Sequence, residues 1–597
     1  MRRPYMSRTA RRALSALTAT VLLAGLMVGT PSAARAAHAP DWYVAKAGVD
    51  YTGVGGCDDP DVLTSDFASD DLAVQDIIDS GSFLSTHIIN FCEGEYLFES
   101  EVTIDRGEVY IEGSASDEVT ISGGETTRLF NISGEVFVSG ITMVDGWVGG
   151  TNMGGAILAG QISVIYSVFE DNYASAGGGA LASSSDGSVS IIMSEFSRNT
   201  ANDMGGAVGT YGNVSVVGSE FTNNTSHADV NCTGGGGAIA AGGSVTVLDG
   251  VFRGNRAEVD SDDLDACNWN PIDLVTDPYD GALGGLGGAI AAIGRVDLEG
   301  GLYTGNFAEA GGGAVMAAGR DFSNSCLEGS RVLGATFTNN STNPRLARAP
   351  VTQAYLGDTL FGGGALLTGT CYLEVYESTF TGNSSMAVGG AVNGTNVSVY
   401  DSTFSGNSVK GSISAIPEEL RFAGGLGGGA IAGIQVNASG SRFVRNSGPS
   451  GGAILTVGGC AYLEYNTFTA NQATVRGTGY GGGAVHAMQL FCSSVFVGNM
   501  FTSNVAAGDG GALWGGVWLF GDELSAAQIK SIIEAPEGWS ISNTYSRNRA
   551  ANGGAIAFST RLPMRVRYST RRFERTNHVR GNVGGRNPII ALVHWGP

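Results

Sequence analysis

Apolar and polar residues alternate along most of this chain in short runs that end at Gly, Asn or Ser, as in Val214-Ser215-Val216-Val217 and Val397-Ser398-Val399-Tyr400. A period of two marks strands with one buried face. These runs are too short and too rich in glycine to hold a helix. The stretch from Asp70 through Ser80, followed by Gly81, differs: its spacing predicts a short amphipathic helix with a glycine stop.

Two motifs organise the runs. Gly-Gly-Ala followed by Ile, Leu or Val begins at Gly154, Gly178, Gly205, Gly236, Gly287, Gly312, Gly363, Gly389, Gly428, Gly451, Gly482, Gly510 and Gly553. Phe-x-x-Asn runs from Phe169 with Asn172 to Phe501 with Asn504, and Tyr replaces Phe at Tyr303 with Asn306 and Tyr545 with Asn548. Each of the first twelve Gly-Gly-Ala motifs is followed by one aromatic-x-x-Asn before the next arrives. Starts at Gly154, Gly178, Gly205 and Gly236 are 24, 27 and 31 residues apart. A unit of about 25 residues cannot bury a core alone, but stacked units can.

These observations predict an all-β fold: a right-handed parallel β-helix of three short strands and three turns per coil, with an N-terminal cap and loop insertions. The paired glycines allow positive φ and close backbone approach. The aliphatic after Ala points inward, and each aromatic stacks on its counterpart about 4.8 Å along the axis. Asn suits a left-handed turn position, and its amide can bond the Asn of the next coil. The asparagines are therefore read as structural, not as glycan acceptors.

Residues 1–37 read as a signal peptide: a basic start, an apolar run over 13–29 and small residues before a cut after Ala36 or Ala37. Residues 38–100 form the expected cap and 101–558 the helix, whose first two coils, around 102–121 and 129–143, are atypical. The tail, 559–597, is rich in Arg, lacks a clean Phe-x-x-Asn and reads as a frame-shifted or truncated end. No apolar run of about 18 residues follows the leader, so no transmembrane helix is expected after cleavage.

Insertions at 256–283, 341–361 and 408–426 all follow the Asn of a motif. They should leave the coil at one corner and build a binding face. The insertion at 514–542 follows Gly-Gly-Ala instead and reads as a lid packed on the solenoid. Asp260, Asp262, Asp263 and Asp265 crowd the first insertion, where calcium is the one cofactor worth weighing. Their spacing fits no defined loop, and a solvated acidic loop is the plainer reading.

The formal charge is −23, and the body is more acidic still because Arg crowds the leader and tail. Nucleic acid and anionic membrane surfaces are poor partners for such a body. Eight cysteines in an exported chain point to disulfides. The repeat register pairs Cys326 with Cys371, Cys460 with Cys492 and Cys232 with Cys267, which lie in adjacent coils. Cys57 and Cys92 remain to tie down the cap.

Catalysis on a β-helix would need paired carboxylates, or an acidic calcium site with an Arg or Lys base. Adjacent acids occur at Asp58-Asp59, Asp70-Asp71 and Asp262-Asp263, all outside the regular strands. The six histidines are scattered, and His486 reads as a core-edge residue. No catalytic residue and no metal ligand is assigned.

The alternation of Gly-Gly-Ala-[Ile/Leu/Val] with Phe-x-x-Asn over roughly residues 130–560 resembles the polymorphic outer membrane protein repeat family of chlamydiae. The resemblance implies a right-handed β-helix passenger on the cell surface, acting as an adhesin. Members of that family end in an outer-membrane β-barrel, whose alternating strands of about ten residues are not seen after Phe558. The expectation is a secreted or surface-exposed, non-catalytic protein binding an extracellular protein or glycan. The alternative is a polysaccharide lyase or hydrolase with a groove along the helix.

Overall fold

The computed structural model describes residues 41–46, 49, 57, 59–80, 86–105, 107–113, 118–184, 186–228, 235–259, 285–319, 329–342, 362–369, 371–411, 426–457, 459–477, 480–489, 494–517, 540–560, 570–585 and 589–594. Among them the chain winds as a right-handed parallel β-helix with three faces, whose sheets hold 29, 16 and 14 strands. Right-handed winding is the ordinary hand for parallel crossovers.

One coil shows the plan. Leu181–Ser183 and Val189–Ile192 lie on the first face, Glu195–Ser197 on the second and Thr200–Ala201 on the third. The next coil repeats it in register, with Leu181 on Val208, Phe196 on Phe221 and Thr200 on Thr225. The first face thus carries two short strands where three strands per coil were expected. The chain bends between them where the Ser183 hydroxyl bonds the Gly187 carbonyl. In coils without that bend the two merge, as in Val392–Tyr400 and Ile431–Ser439.

Each motif residue owns a column of the interior. Ala and the following aliphatic are buried, as at Ala156 and Ile157. Twelve aromatics stack from Phe169 to Tyr545, with neighbouring centroids 4.9 Å apart at Phe169–Phe196 and 4.7 Å at Phe380–Phe404. The asparagines form a ladder in which each side chain is fully used. Asn340 donates its main-chain N–H and Nδ2 to Asn383 Oδ1, both at 3.0 Å, and Nδ2 also reaches the Tyr303 carbonyl at 2.9 Å. Asn199, Asn224 and Asn340 have no exposed surface, which excludes glycan attachment there.

The left-handed corner is not the Asn. It is the residue before it: Asp171, Arg198, Asn223 and Asn339 have φ near +55°. The Asn is selected for hydrogen bonding, because only a side chain with both donor and acceptor propagates the ladder. A second column, polar in most coils, sits two residues before the aromatic. There Ser167 N–H bonds Ser194 Oγ, and further along Asn466 N–H bonds Asn499 Oδ1.

The N-terminal region behaves as a cap. The helix Asp70–Ser80 buries Ala73, Val74, Ile77 and Ile78. Coil pairing begins before residue 101, since Thr86–Phe91 already pairs with Glu108–Gly113 and Gly94–Leu97 with Val119–Ser122. Cys57 and Cys92 form a disulfide. Cys371 and Cys460 are also disulfide-bonded. The partners the register assigns them, Cys326 and Cys492, lie outside the described residues, as do Cys232 and Cys267. The Cys57–Cys92 bridge closes a sequence separation of 35 residues. Cys57→Ser with Cys92→Ser should weaken the cap by roughly 3–4 kcal/mol, the loop-closure value for that length. Native-state hydrogen exchange over residues 86–97 measures it, and unchanged protection there would contradict the assignment.

The described part of the Arg-rich tail continues the helix. His578–Arg580 pairs with Thr544–Ser546, Val583–Gly584 with Arg549–Ala550, and Ile590–His594 with Ile556–Thr560. Asn582 extends the ladder by accepting from Asn548 at 2.9 Å. Phe573, on the helix Thr570–Thr576, covers Tyr545 with centroids 5.5 Å apart. The tail is another coil in which Val579 stands where an aromatic stands elsewhere.

Candidate functional site

Of the adjacent aspartates that the sequence offers, one pair lies wholly within the described residues. Asp70 and Asp71 open the cap helix and are both buried. Asp70 takes Lys46 Nζ and the Leu97 N–H, each at 2.6 Å. Asp71 accepts from the Glu99 N–H at 2.9 Å and from the Ser100 hydroxyl. Burial pushes the Asp71 carboxyl up, but these hydrogen bonds outweigh it and hold the group below its ordinary range. Both acids therefore fasten the cap helix to the 97–100 segment and are not free for proton transfer. Asp58 and Asp262-Asp263 lie outside the described residues, as do Asp260 and Asp265. Among the described residues no cluster of His, Cys, Asp or Glu could hold a metal ion.

His486 is completely buried, and its ring stacks on Trp514 with centroids 4.0 Å apart. Burial drives its pKa down to about 3, against a smaller opposing effect of the Gly481 main chain. A base must meet solvent or substrate, so this histidine is a packing residue. Its folded pKa lies below the unfolded value, so on acidification the unfolded chain takes up the proton first. Stability should fall as pH drops below about 6.5, by about 1.4 kcal/mol per unit for this one group. The difference in unfolding free energy between wild type and His486→Leu, followed from pH 7 to 4, isolates that slope. A constant difference would place the imidazole in solvent.

The surface offers a shallow groove of about 390 Å³ on the outside of the first face. Ser188, Ser190, Asn213, Ser215, Ser244, Thr246 and Arg295 line it. Strand alternation builds it: with Val189, Ile191, Val214 and Val216 turned into the core, Ser190 and Ser215 must face out. Register then stacks Ser190 on Ser215 and Ser215 on Thr246. Asn213 Oδ1 accepts the Ser244 N–H at 2.8 Å, which holds the turn at the groove's edge. Arg295 is held by Asp297 at 3.2 Å, so the groove adds no strong positive charge. Hydroxyls, an amide and a neutralised Arg can hydrogen-bond a polar ligand. Among the described residues that line the groove there is no His, Asp or Glu. The sequence carried this feature only as the ordinary polar half of an alternating strand.

The described stems of the insertions share a corner. Arg256–Val259, Ser341–Thr342 and Ser408–Val409 all lie on the third face, immediately before the glycine turn. The insertion bodies, and the stretch expected as a lid, lie outside the described residues but for their edges.

Residues 218–242 match the Chlamydia polymorphic membrane protein repeat. The match spans one unit, from Gly218 through the Phe221-x-x-Asn224 strand to the Gly236 motif and Ala241. The stacking of the same unit through the chain shows what that repeat does in three dimensions. The A-module of mannuronan C-5 epimerase AlgE6 from Azotobacter vinelandii aligns with 90% of this chain and 100% of its own, at 11% identity and a TM-score of 0.22. So low a score supports no argument about activity. A search of the curated proteins gives no match. Among the described residues no helix is long and apolar enough to cross a membrane.

Proposed function

We propose that this chain is an extracellular, surface-exposed binding protein without catalytic activity, whose β-helix is a rigid carrier for a glycan-binding groove and a row of insertion loops. The hydroxyl-lined groove carries this reading. It presents hydrogen-bonding groups at a repeat of about 4.8 Å, set by the coil rise. It lacks the paired acids that hydrolysis or elimination requires. The neutralised Arg295 and the charge of −23 favour a neutral glycan over an acidic one. The insertion stems leave the coil at one corner, which supports a second contact surface for a host or matrix protein. The matched repeat supports a cell-surface location.

The test is a glycan array probed with wild type and with Ser190→Tyr/Ser215→Tyr, which fills the groove. Neutral glycans should bind wild type and lose at least tenfold in the variant. Equal binding by both proteins would remove the groove from the function. Release of unsaturated sugar ends would replace binding by lyase activity.

A further inference from the structure

The second face carries a pattern that neither the groove nor the insertions use. Its strands read Thr-Phe-Thr at Thr336–Thr338, Thr379–Thr381 and Thr467–Thr469, and Thr-Phe-Ser at Thr403–Ser405. The central Phe is buried in each, so the flanking residues face outward. Register stacks Thr336 on Thr379 on Thr403, and Thr338 on Thr381 on Ser405. Thr304 extends the second row in one direction; in the other, Arg442 and Val444 interrupt the two rows before they resume at Thr467 and Thr469, with Thr502 beyond. The result is a two-dimensional array. Its repeat is about 4.8 Å along the axis and roughly 6.6–6.8 Å between the two rows.

Three observations separate this array from an ordinary exposed strand surface. First, its coils repeat in register: the core rings directly beneath it stack nearly parallel, with ring planes 2° apart at Phe337–Phe380, 0° at Phe380–Phe404 and 7° at Phe443–Phe468. Secondly, its central hydroxyls are unspent, although Thr304 Oγ1 donates to the Thr338 carbonyl at 3.4 Å. The buried Ser378 and Ser402 hydroxyls each bond the protein, but those of Thr336, Thr379, Thr381 and Thr403 have no protein partner. Strand preference alone would accept Val or Ile equally well at these positions. Thirdly, it is nearly free of charge. From Leu302–Thr304 to Thr544–Ser546 only Arg442 is charged among the outward residues. Earlier coils of the same face carry the ion pair Arg253–Glu220 among their outward residues.

We propose that this face is an ice-binding plane. Its ligand must be uncharged, extended in two dimensions and able to donate and accept hydrogen bonds at every repeat. Solid water has those properties. A crystalline polysaccharide would be gripped by outward aromatic rings, and these two rows hold none. One threonine gains little from one water. A rigid array adds many such contacts at little further ordering cost, since β-branching restricts χ1 of each threonine and the coil stacking fixes their spacing. Surface display would let the same chain hold a cell against ice. This activity is independent of the glycan groove, which lies on another face.

Partition into slowly grown ice, with thermal hysteresis as a second readout, decides the matter using purified full-length protein and water alone. Wild type should enter the ice, and Thr379→Lys/Thr403→Lys should be excluded at least tenfold more, with an unchanged circular dichroism spectrum and melting temperature. Should that pair fail to fold, Thr381→Lys alone provides the same comparison. Exclusion of wild type at the level of a control protein overturns the proposal. So does undiminished partition of the folded variants. Retention of wild type on microcrystalline chitin or cellulose, without entry into ice, assigns the face to a solid polysaccharide instead. Ser215→Tyr in the groove should leave ice partition unchanged.

Discussion

Gly364→Ala should leave the protein unable to close its coil, whereas Gly406→Ala should be tolerated. Both sites are glycines in turns, and the structure separates them sharply. A Cβ on Gly364 would lie 2.1 Å from the Gly390 carbonyl oxygen and 2.7 Å from main-chain atoms of Ser384. All three are backbone atoms held by the ladders above and beside them, so none can move aside like a flexible side chain. The loss should exceed the roughly 1–3 kcal/mol of ordinary core overpacking. Gly406 has φ +64° but nothing within 4 Å of an added Cβ. Its substitution costs only the left-handed strain, roughly 1–2 kcal/mol. Urea denaturation monitored by circular dichroism compares the two. A Gly364→Ala midpoint close to that of Gly406→Ala would show that the corner can open.

This contrast also explains why Gly-Gly-Ala is the most legible element in the chain. Its first glycine, as at Gly363, would place a Cβ 2.0 Å from the Leu366 carbonyl oxygen, and its second is closed in the same way by the Gly390 carbonyl, so neither position accepts another residue. The aromatic and Asn columns are legible for the same reason: each needs one shape or one donor–acceptor pair in every coil. Other columns tolerate change and left no signature. The polar column two residues before the aromatic is Ser at Ser167 and Ser194, Gly at Gly250 and Asn at Asn466, since hydroxyl, amide or nothing all fit there. The left-handed residue before each Asn points outward and so varies from Asp171 to Arg198 to Ala470. The coil in the tail is not legible in the sequence because Val579 stands where the body repeats an aromatic and no Gly-Gly-Ala precedes Ile590.

The candidate sites were less legible than the fold, for a related reason. The acidic pair at Asp70-Asp71 resembles chemistry in sequence, yet its function is to receive main-chain N–H groups. Conversely, Ser190, Ser215 and Thr379 are unremarkable as letters. They acquire meaning only when register places partners 24 to 43 residues apart in sequence one coil apart in space.

Asn383→Leu should destabilise the protein by roughly 3–6 kcal/mol, the sum of several stranded polar groups at about 1–3 kcal/mol each. The substitution removes the acceptor for both the N–H and Nδ2 of Asn340, at 3.0 Å each. It also removes the donor to the Phe337 carbonyl and to Asn407 Oδ1, again at 3.0 Å. Asn383 has no exposed surface, so water cannot replace any of these bonds without opening the coil. Asn383→Asp gives the test a sign. The new carboxylate can still accept from Asn340, but it would face Asn407 Oδ1 and the Phe337 carbonyl with lone pairs opposed. Repulsion and burial both raise its folded pKa above the unfolded value near 3.9. The folded state then binds the proton more tightly, so stability returns as pH falls through the raised pKa and is lost as pH rises through it. Asn383→Asp should therefore be weaker than wild type at pH 7 and recover part of the difference by pH 4. Asn383→Leu should keep its deficit at both. If Asn383→Asp shows no such recovery, the ladder does not depend on a donor at that position, and the asparagine column would be held by its acceptors alone.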